Sequence, residues 1–198
     1  MLNRTHGVAI FLALSASLAL AQANLPQFSA DLKMGHREGD AATGKMYWGG
    51  SSMRMDINAG GRDASIIHNT SKNANYMVMP EQKMYMELGA NSPMLGRSSD
   101  LKSYDPNNPC AGEEGYTCKK LGAETVNGRA CDKWELTGAH GNQTFWIDQK
   151  LHFPIRGVSA DGHTFDLTNV KEGAQPASLF EVPPGYTKLD MSGPPRRP

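Results

Sequence analysis

The chain has 198 residues, with 20 Lys plus Arg against 20 Asp plus Glu and 39% hydrophobic residues. That balance excludes the basic stripe expected of a nucleic-acid binder, and Arg196-Arg197 in the Pro-rich end is the only local bias. There is no G-x-S-x-G elbow, Walker loop, H-E-x-x-H helix or C-x-x-C pair, so the composition and motifs read as a non-enzymatic binding or structural protein, with no cofactor and no metal-ligand spacing among its histidines.

Residues 1–23 read as a secretory signal peptide. Arg4 supplies a positive start, Val8 to Leu20 is apolar apart from small Ser15 and Ser17, and Ala21-Gln22-Ala23 is a small-residue cleavage site. The apolar run is too short to span a bilayer, and no cysteine follows the cleavage site to carry a lipid. The expected location is therefore periplasmic or secreted, without a stable membrane anchor once the leader is removed. Residues 24–187 suit one domain, and residues 188–198 read as a disordered Pro-rich tail.

The rest reads as successive strands. Gln27 to Gly35 alternates Phe28, Ala30, Leu32 and Met34 with polar residues. Ala42 to Trp48 and Met53 to Ile57 flank Gly49-Gly50. Asp63 to His68 follows, then Asn75 to Met79 and Met84 to Leu88 around Pro80-Glu-Gln-Lys83. Residues 89–116 lack strand signals and have the length of a lid or binding loop, in which Ser92-Pro93 is a possible helix start. Thr117 to Val126 and Arg129 to Thr137 flank Asn127-Gly128, the strongest hairpin signal in the chain. Gln143 to Asp148, Ile155 to Ala160 and Thr164 to Val170 complete the set, and Pro176-Ala-Ser-Leu179 offers one helical turn. The sum is an all-β fold with minor helix, a curved antiparallel sheet of about 10–11 strands forming an incomplete barrel.

Of the 11 methionines, seven fall in two hairpins, on one face of each. Around Pro80 to Lys83, Met79 opposes Met84 and Met77 opposes Met86. In the earlier hairpin, a two-residue loop pairs Met46 with Met53, whereas a four-residue loop pairs it with Met55. Either register puts Met46, Met53 and Met55 on one face, with Trp48 there by parity. Three chemistries suit such a face. Methionine fills irregular cores. Polarizable thioethers also re-pack around varied apolar shapes, which suits a lipid or peptide site. Thioether sulfur further suits Cu(I), and Met77, Met79, Met84 and Met86 are close enough to converge on one ion.

The three cysteines cannot all pair within the chain. Cys110 and Cys118 close a short turn-rich loop. Cys131 pairs opposite Glu124, leaving Cys118 roughly 20 Å away along the strand, too far for a bond that needs Cα atoms within about 7 Å. The expected disulfide is Cys110–Cys118, with Cys131 a free, buried thiol. Asn69-Thr-Ser71 and Asn142-Gln-Thr144 match the glycosylation sequon. The histidines His36, His68, His140, His152 and His163 read as surface or turn residues.

The ordered set of segments resembles a known superfamily. It comprises Gly44-Lys-Met-Tyr47, Met53-Arg-Met-Asp56, Tyr76 to Tyr85, Leu121 to Gly128, Phe145-Trp-Ile-Asp148, Phe153-Pro-Ile-Arg156 and Phe180 to Tyr186. In this order they resemble the periplasmic lipoprotein-carrier (Lol-type) half-barrels, and within them an uncharacterised domain-of-unknown-function branch. The resemblance implies an incomplete antiparallel barrel closed by helices, whose concave face binds lipid or acyl chains, with no catalytic residue.

The expected function is a periplasmic or secreted protein that binds a hydrophobic ligand, a lipid or lipidated segment, through Met46, Trp48, Met53, Met55, Met77, Met79, Met84 and Met86. One alternative is a cell-envelope interaction or sensor scaffold using an exposed sheet edge or the 89–116 loop. The other is Cu(I) handling through the Met-x-Met pairs.

Overall fold

The structure is a computed structural model that describes residues 26–36, 39–89, 92, 107–110, 115–139 and 141–189. The leader, the helix expected after Ser92, most of the 89–116 loop and the end of the tail lie outside the described residues.

Among the described residues twelve strands form one sheet. They are β1 (Phe28–His36), β2 (Gly39–Trp48), β3 (Met53–Ala59), β4 (Arg62–Asn69), β5 (Ala74–Met79), β6 (Met84–Leu88), β7 (Thr117–Val126), β8 (Arg129–Gly138), β9 (Gly141–Asp148), β10 (Phe153–Val158), β11 (Thr164–Glu172) and β12 (Thr187–Lys188). The order across the sheet is β12-β6-β5-β4-β3-β2-β1-β11-β10-β9-β8-β7. The chain thus makes two meanders that meet where β1 pairs with β11. All neighbours are antiparallel except β12, which runs parallel to β6.

Local sequence explains the elements. In β1, Phe28, Ala30 and Leu32 are buried while Lys33 is exposed, the period-two pattern of a half-buried strand. Gly49 N–H donates to Ser52 O at 2.8 Å, which closes the four-residue loop and selects the Met46–Met55 register. Asn127 and Gly128 take φ of 51° and 77°, the left-handed pair that a tight hairpin needs.

The sheet is curved and not closed. Phe153 on β10 packs its ring 5.3 Å from Phe28 and 5.0 Å from Trp48. In a flat sheet β10 and β2 would be three strand spacings apart, roughly 14 Å. The face carrying these rings is therefore the inner one. Register shifts at Ser29/Asp31, Lys120/Gly122 and Pro154/Arg156 are bulges of the kind that add local bend. Gly44 sits where a Cβ would lie 1.8 Å from the Asp56 carbonyl oxygen, so β2 and β3 approach there as only glycine permits.

The core has two parts. The inner face buries Phe28, Leu32, Met46, Trp48, Met53, Phe153, Ile155 and Leu167. On the outer face Ile67 and Val78 are buried beneath Phe180, with Tyr47, Tyr76, Tyr85, Leu179 and Tyr186 around them. Phe180 arrives on a single 3-10 turn, Ala177–Phe180, where the sequence offers one helical turn. Arg54 Nη1 donates to Leu179 O at 3.2 Å, and Asn69 Nδ2 donates to Phe180 O at 2.8 Å.

Three expectations change. The sheet has twelve strands among the described residues, above the expected 10–11, because Thr187–Lys188 adds to the edge of β6. Leu189 N–H also donates to Tyr85 O at 2.7 Å, which extends the contact along β6. Thr187 and Lys188 are too short a pair to show periodicity. His68 is buried at 7% exposure and is no surface residue, because it sits beside buried Met53 and its ring bonds the buried Asn75 side chain. The helices that the resemblance implies are absent from the described residues, where the only helical element is the 3-10 turn.

Candidate ligand-binding face

The eight expected residues share the inner face. Trp48 pairs with Met53 and Met46 with Met55. Met55 then pairs with Ile66, Ile66 with Met77 and Met77 with Met86. One row, Met46-Met55-Ile66-Met77-Met86, therefore crosses five neighbouring strands. Met79 and Met84 form the next pair outward.

Burial divides the eight. Met46, Trp48 and Met53 are 5%, 7% and 2% exposed and belong to the packed inner core. Met55, Met77, Met79, Met84 and Met86 keep part of their surface. The partly exposed thioethers thus cluster on β3, β5 and β6, beside a floor of buried ones.

Two polar residues on this face escape a reading of the methionines alone. His68 pairs with Met53 and with Asn75, and its Nδ1 lies 2.6 Å from Asn75 Oδ1. Asn75 is 8% exposed, so the two side chains satisfy each other inside the wall. Gly60 and Gly61, with φ of 58° and 77°, form the tight turn before β4. That Gly-Gly signal fixes the register that puts His68 beside Met53.

Elsewhere several carboxylates are paired or hydrogen-bonded. Asp148, 1% exposed, receives Arg129 Nε, and its Oδ1 accepts the backbone N–H groups of Lys150 and Leu151, each at 2.8 Å. Burial pushes the Asp148 carboxyl up, but these hydrogen bonds win and hold it below the ordinary carboxylate range. Glu124 accepts from Lys133 at 2.9 Å and from Trp146 Nε1 at 2.5 Å. Those bonds lower the Glu124 carboxyl. Among the described residues no three or more His, Cys, Asp or Glu side chains are grouped to hold a metal ion.

A disulfide joins Cys110 and Cys118, with Cα atoms 5.8 Å apart. Cys131 is free and buried, and burial followed by the nearby Asp148 charge pushes its thiol up to about 11. Asn69, one of the two sequon residues, is 2% exposed and bonded to Phe180 and Glu181, so its amide is committed to the fold. Asn142 is exposed.

A family profile described as a domain of unknown function, DUF4412, matches residues 29–152. The chain belongs to the DUF4412 family. The matched span runs from β1 through β9 and contains all eight inner-face residues named above. A search of curated proteins finds no match. Among solved structures, an uncharacterised conserved protein from Thermus thermophilus is similar at 9% identity and a TM-score of 0.58, over 84% of this chain and 91% of that one. MucB in complex with MucA(peri) is similar at 13% identity and a TM-score of 0.50, over 81% of this chain and 56% of that one. A LolA superfamily protein from Nitrosomonas europaea matches more loosely, at 14% identity and a TM-score of 0.35, over 79% and 89% of the two chains. The curved, unclosed sheet of this DUF4412 chain is the half-barrel that the sequence resemblance implies.

Proposed function

We propose that this DUF4412 protein is an extracytoplasmic, non-enzymatic carrier that binds an acyl lipid or lipidated segment on its inner face. The observation that carries the reading is the thioether row crossing five strands, Met46-Met55-Ile66-Met77-Met86, with Met79 and Met84 beside it. The partly exposed Met55, Met77, Met79, Met84 and Met86 supply the contact surface. The buried Met46, Trp48 and Met53 supply its floor. Unbranched thioethers adapt to chains of different length and saturation. About ten buried methylenes supply roughly 8 kcal/mol before the cost of association, enough for reversible carriage. The Cys110–Cys118 disulfide supports an oxidising compartment.

Native mass spectrometry after incubation with an acyl lipid tests the reading. Wild type is expected to carry lipid adducts and Met77→Gln/Met86→Gln to lose them. Met77→Leu/Met86→Leu is expected to keep them, because leucine preserves the apolar volume. Ligand-free wild type under all conditions overturns the proposal. The leucine variant also separates the Cu(I) alternative, since loss of Cu(I) affinity on removing sulfur would make that the better reading.

A second reading is an envelope scaffold that binds a protein partner. The likeness to MucB, solved in complex with MucA(peri), supports it. The β7 edge, where Leu121 is 46% exposed, is the surface to test. Leu121→Lys is expected to leave lipid adducts unchanged, and a partner cross-link that survives this substitution places the contact elsewhere.

A further inference from the structure

A second row runs beside the thioether row on the inner face. Phe28 pairs with Trp48, Trp48 with Met53, Met53 with His68, His68 with Asn75, and Asn75 with Leu88. Phe28, Trp48 and Met53 belong to the inner core, which fixes the side of the sheet on which His68 and Asn75 stand. Their neighbours on that side along β4 and β5 are Ile66 and Met77, members of the thioether row. The nearby charged residues Arg54 and Glu87 pair instead with Ile67 and Tyr76 of the outer cluster. His68 and Asn75 are thus a polar pair set in an apolar wall.

The pair is buried but not saturated. His68 and Asn75 are 7% and 8% exposed, and their one hydrogen bond joins His68 Nδ1 to Asn75 Oδ1 at 2.6 Å. A carboxamide oxygen only accepts, so Nδ1 carries the hydrogen and the neutral ring presents Nε2 as an acceptor. Neither Nε2 nor Asn75 Nδ2 has a partner within the chain. Among the described residues the only fully buried side-chain nitrogen or oxygen without a partner is Trp134 Nε1. The small exposed remainder of His68 and Asn75 therefore includes Nε2 and Nδ2. An acceptor and a donor reach the surface of the wall together.

We propose that His68 Nε2 receives the carboxyl group of a free fatty acid whose chain lies along Met55, Met77 and Met86. This rests on the hydrophobic-ligand reading above and narrows it from acyl lipids in general to one with a free acid end. A carboxylic acid brings the donor that an acceptor nitrogen needs and a carbonyl for Asn75 Nδ2, whereas an ester or an alkane brings no donor. One proton is shared between the carboxyl oxygen and Nε2 whichever atom holds it, so no unpaired charge is left in the wall. The strand registers put no carboxylate of the chain on this side of β3, β4, β5 or β6 to compete for Nε2.

The test is displacement of N-phenyl-1-naphthylamine fluorescence by laurate and by methyl laurate, on wild type and His68→Phe, together with the nitrogen chemical shifts of the wild-type His68 ring. An apolar wall alone favours the ester, because ionised laurate gives up its hydration. Wild type is expected to reverse that order. His68→Phe keeps an aromatic ring and should restore it, losing about tenfold in laurate affinity, the worth of one buried hydrogen bond, with methyl laurate unchanged. Nδ1 is expected to carry the proton before ligand is added, and laurate but not methyl laurate to shift the Nε2 resonance. Equal displacement from wild type, or preference for the ester, overturns the anchor and leaves the apolar site standing. A laurate preference that survives in His68→Phe places the carboxyl elsewhere and overturns the role of His68. An Nε2 resonance that laurate leaves unmoved does the same, even if the variant fails to fold. Displacement by neither compound overturns the hydrophobic-ligand reading, and the anchor with it.

Discussion

Asp148 shows how one buried charge is made safe. Its side chain is 1% exposed, yet it receives Arg129 and two backbone N–H groups from the turn that follows it. Replacing it with Asn leaves Arg129 with Glu172 alone, at 3.0 Å. Asp148→Asn is therefore expected to lower unfolding free energy by about 3 kcal/mol, the low end for a broken buried pair. Because the folded-state value is depressed, the contribution is fully present above the ordinary Asp value of about 4 and is lost as pH falls through the lower folded value. Urea titrations of both proteins at pH 7 and below pH 4 check this, and the gap between them should narrow in acid. The same neighbourhood keeps Cys131 inert, since its buried thiol is raised to about 11.

Two glycines set how the strands bend and pack, and they differ in what a methyl group would strike. At Gly44 the obstacle is backbone, the Asp56 carbonyl. At Gly157 the nearest atoms belong to the Phe165 and Phe145 rings. Rings can tilt and backbone cannot, so Gly157→Ala is expected to cost about 1–3 kcal/mol and Gly44→Ala more. Thermal melts of the two variants give the ranking, and equal melting temperatures would contradict it. The hairpins themselves were readable in advance. Period two alone put Met77 opposite Met86 and left only the loop length of the earlier hairpin open, which Gly49 N–H to Ser52 O decides. Less legible was which methionines would be covered. Met46 and Met53 are sealed because Phe153, 100 residues later in the chain, folds onto Trp48. No local pattern carries that closure. His68 is no more legible, since its cover comes from Met53 and Asn75 on the neighbouring strands, and the two-residue β12 is fixed by the β6 edge more than 80 residues before it.

Across the whole molecule, the chain's end completes its beginning. The segment from Pro176 to Leu189 covers Ile67 and Val78 with Phe180 and pairs along β6 through Thr187 and Lys188. Truncation after residue 175 is expected to expose that apolar outer face together with the β6 edge, an arrangement prone to pairing with other chains. Size-exclusion chromatography should then show oligomers or aggregate where the full chain runs as a smaller species. The opposite edge is better defended, since β7 carries a bulge at Lys120/Gly122 and two adjacent lysines, Lys119 and Lys120. The meeting of β1 with β11 has a kinetic consequence as well. Phe28 registers with Glu172, so β1 meets one of its two neighbours only across nearly the whole domain. Each meander can form early as local hairpins, but joining them requires closing a loop of well over 100 residues. Joining the meanders is thereby the slow step of folding, in the millisecond-to-second range of non-local β topologies.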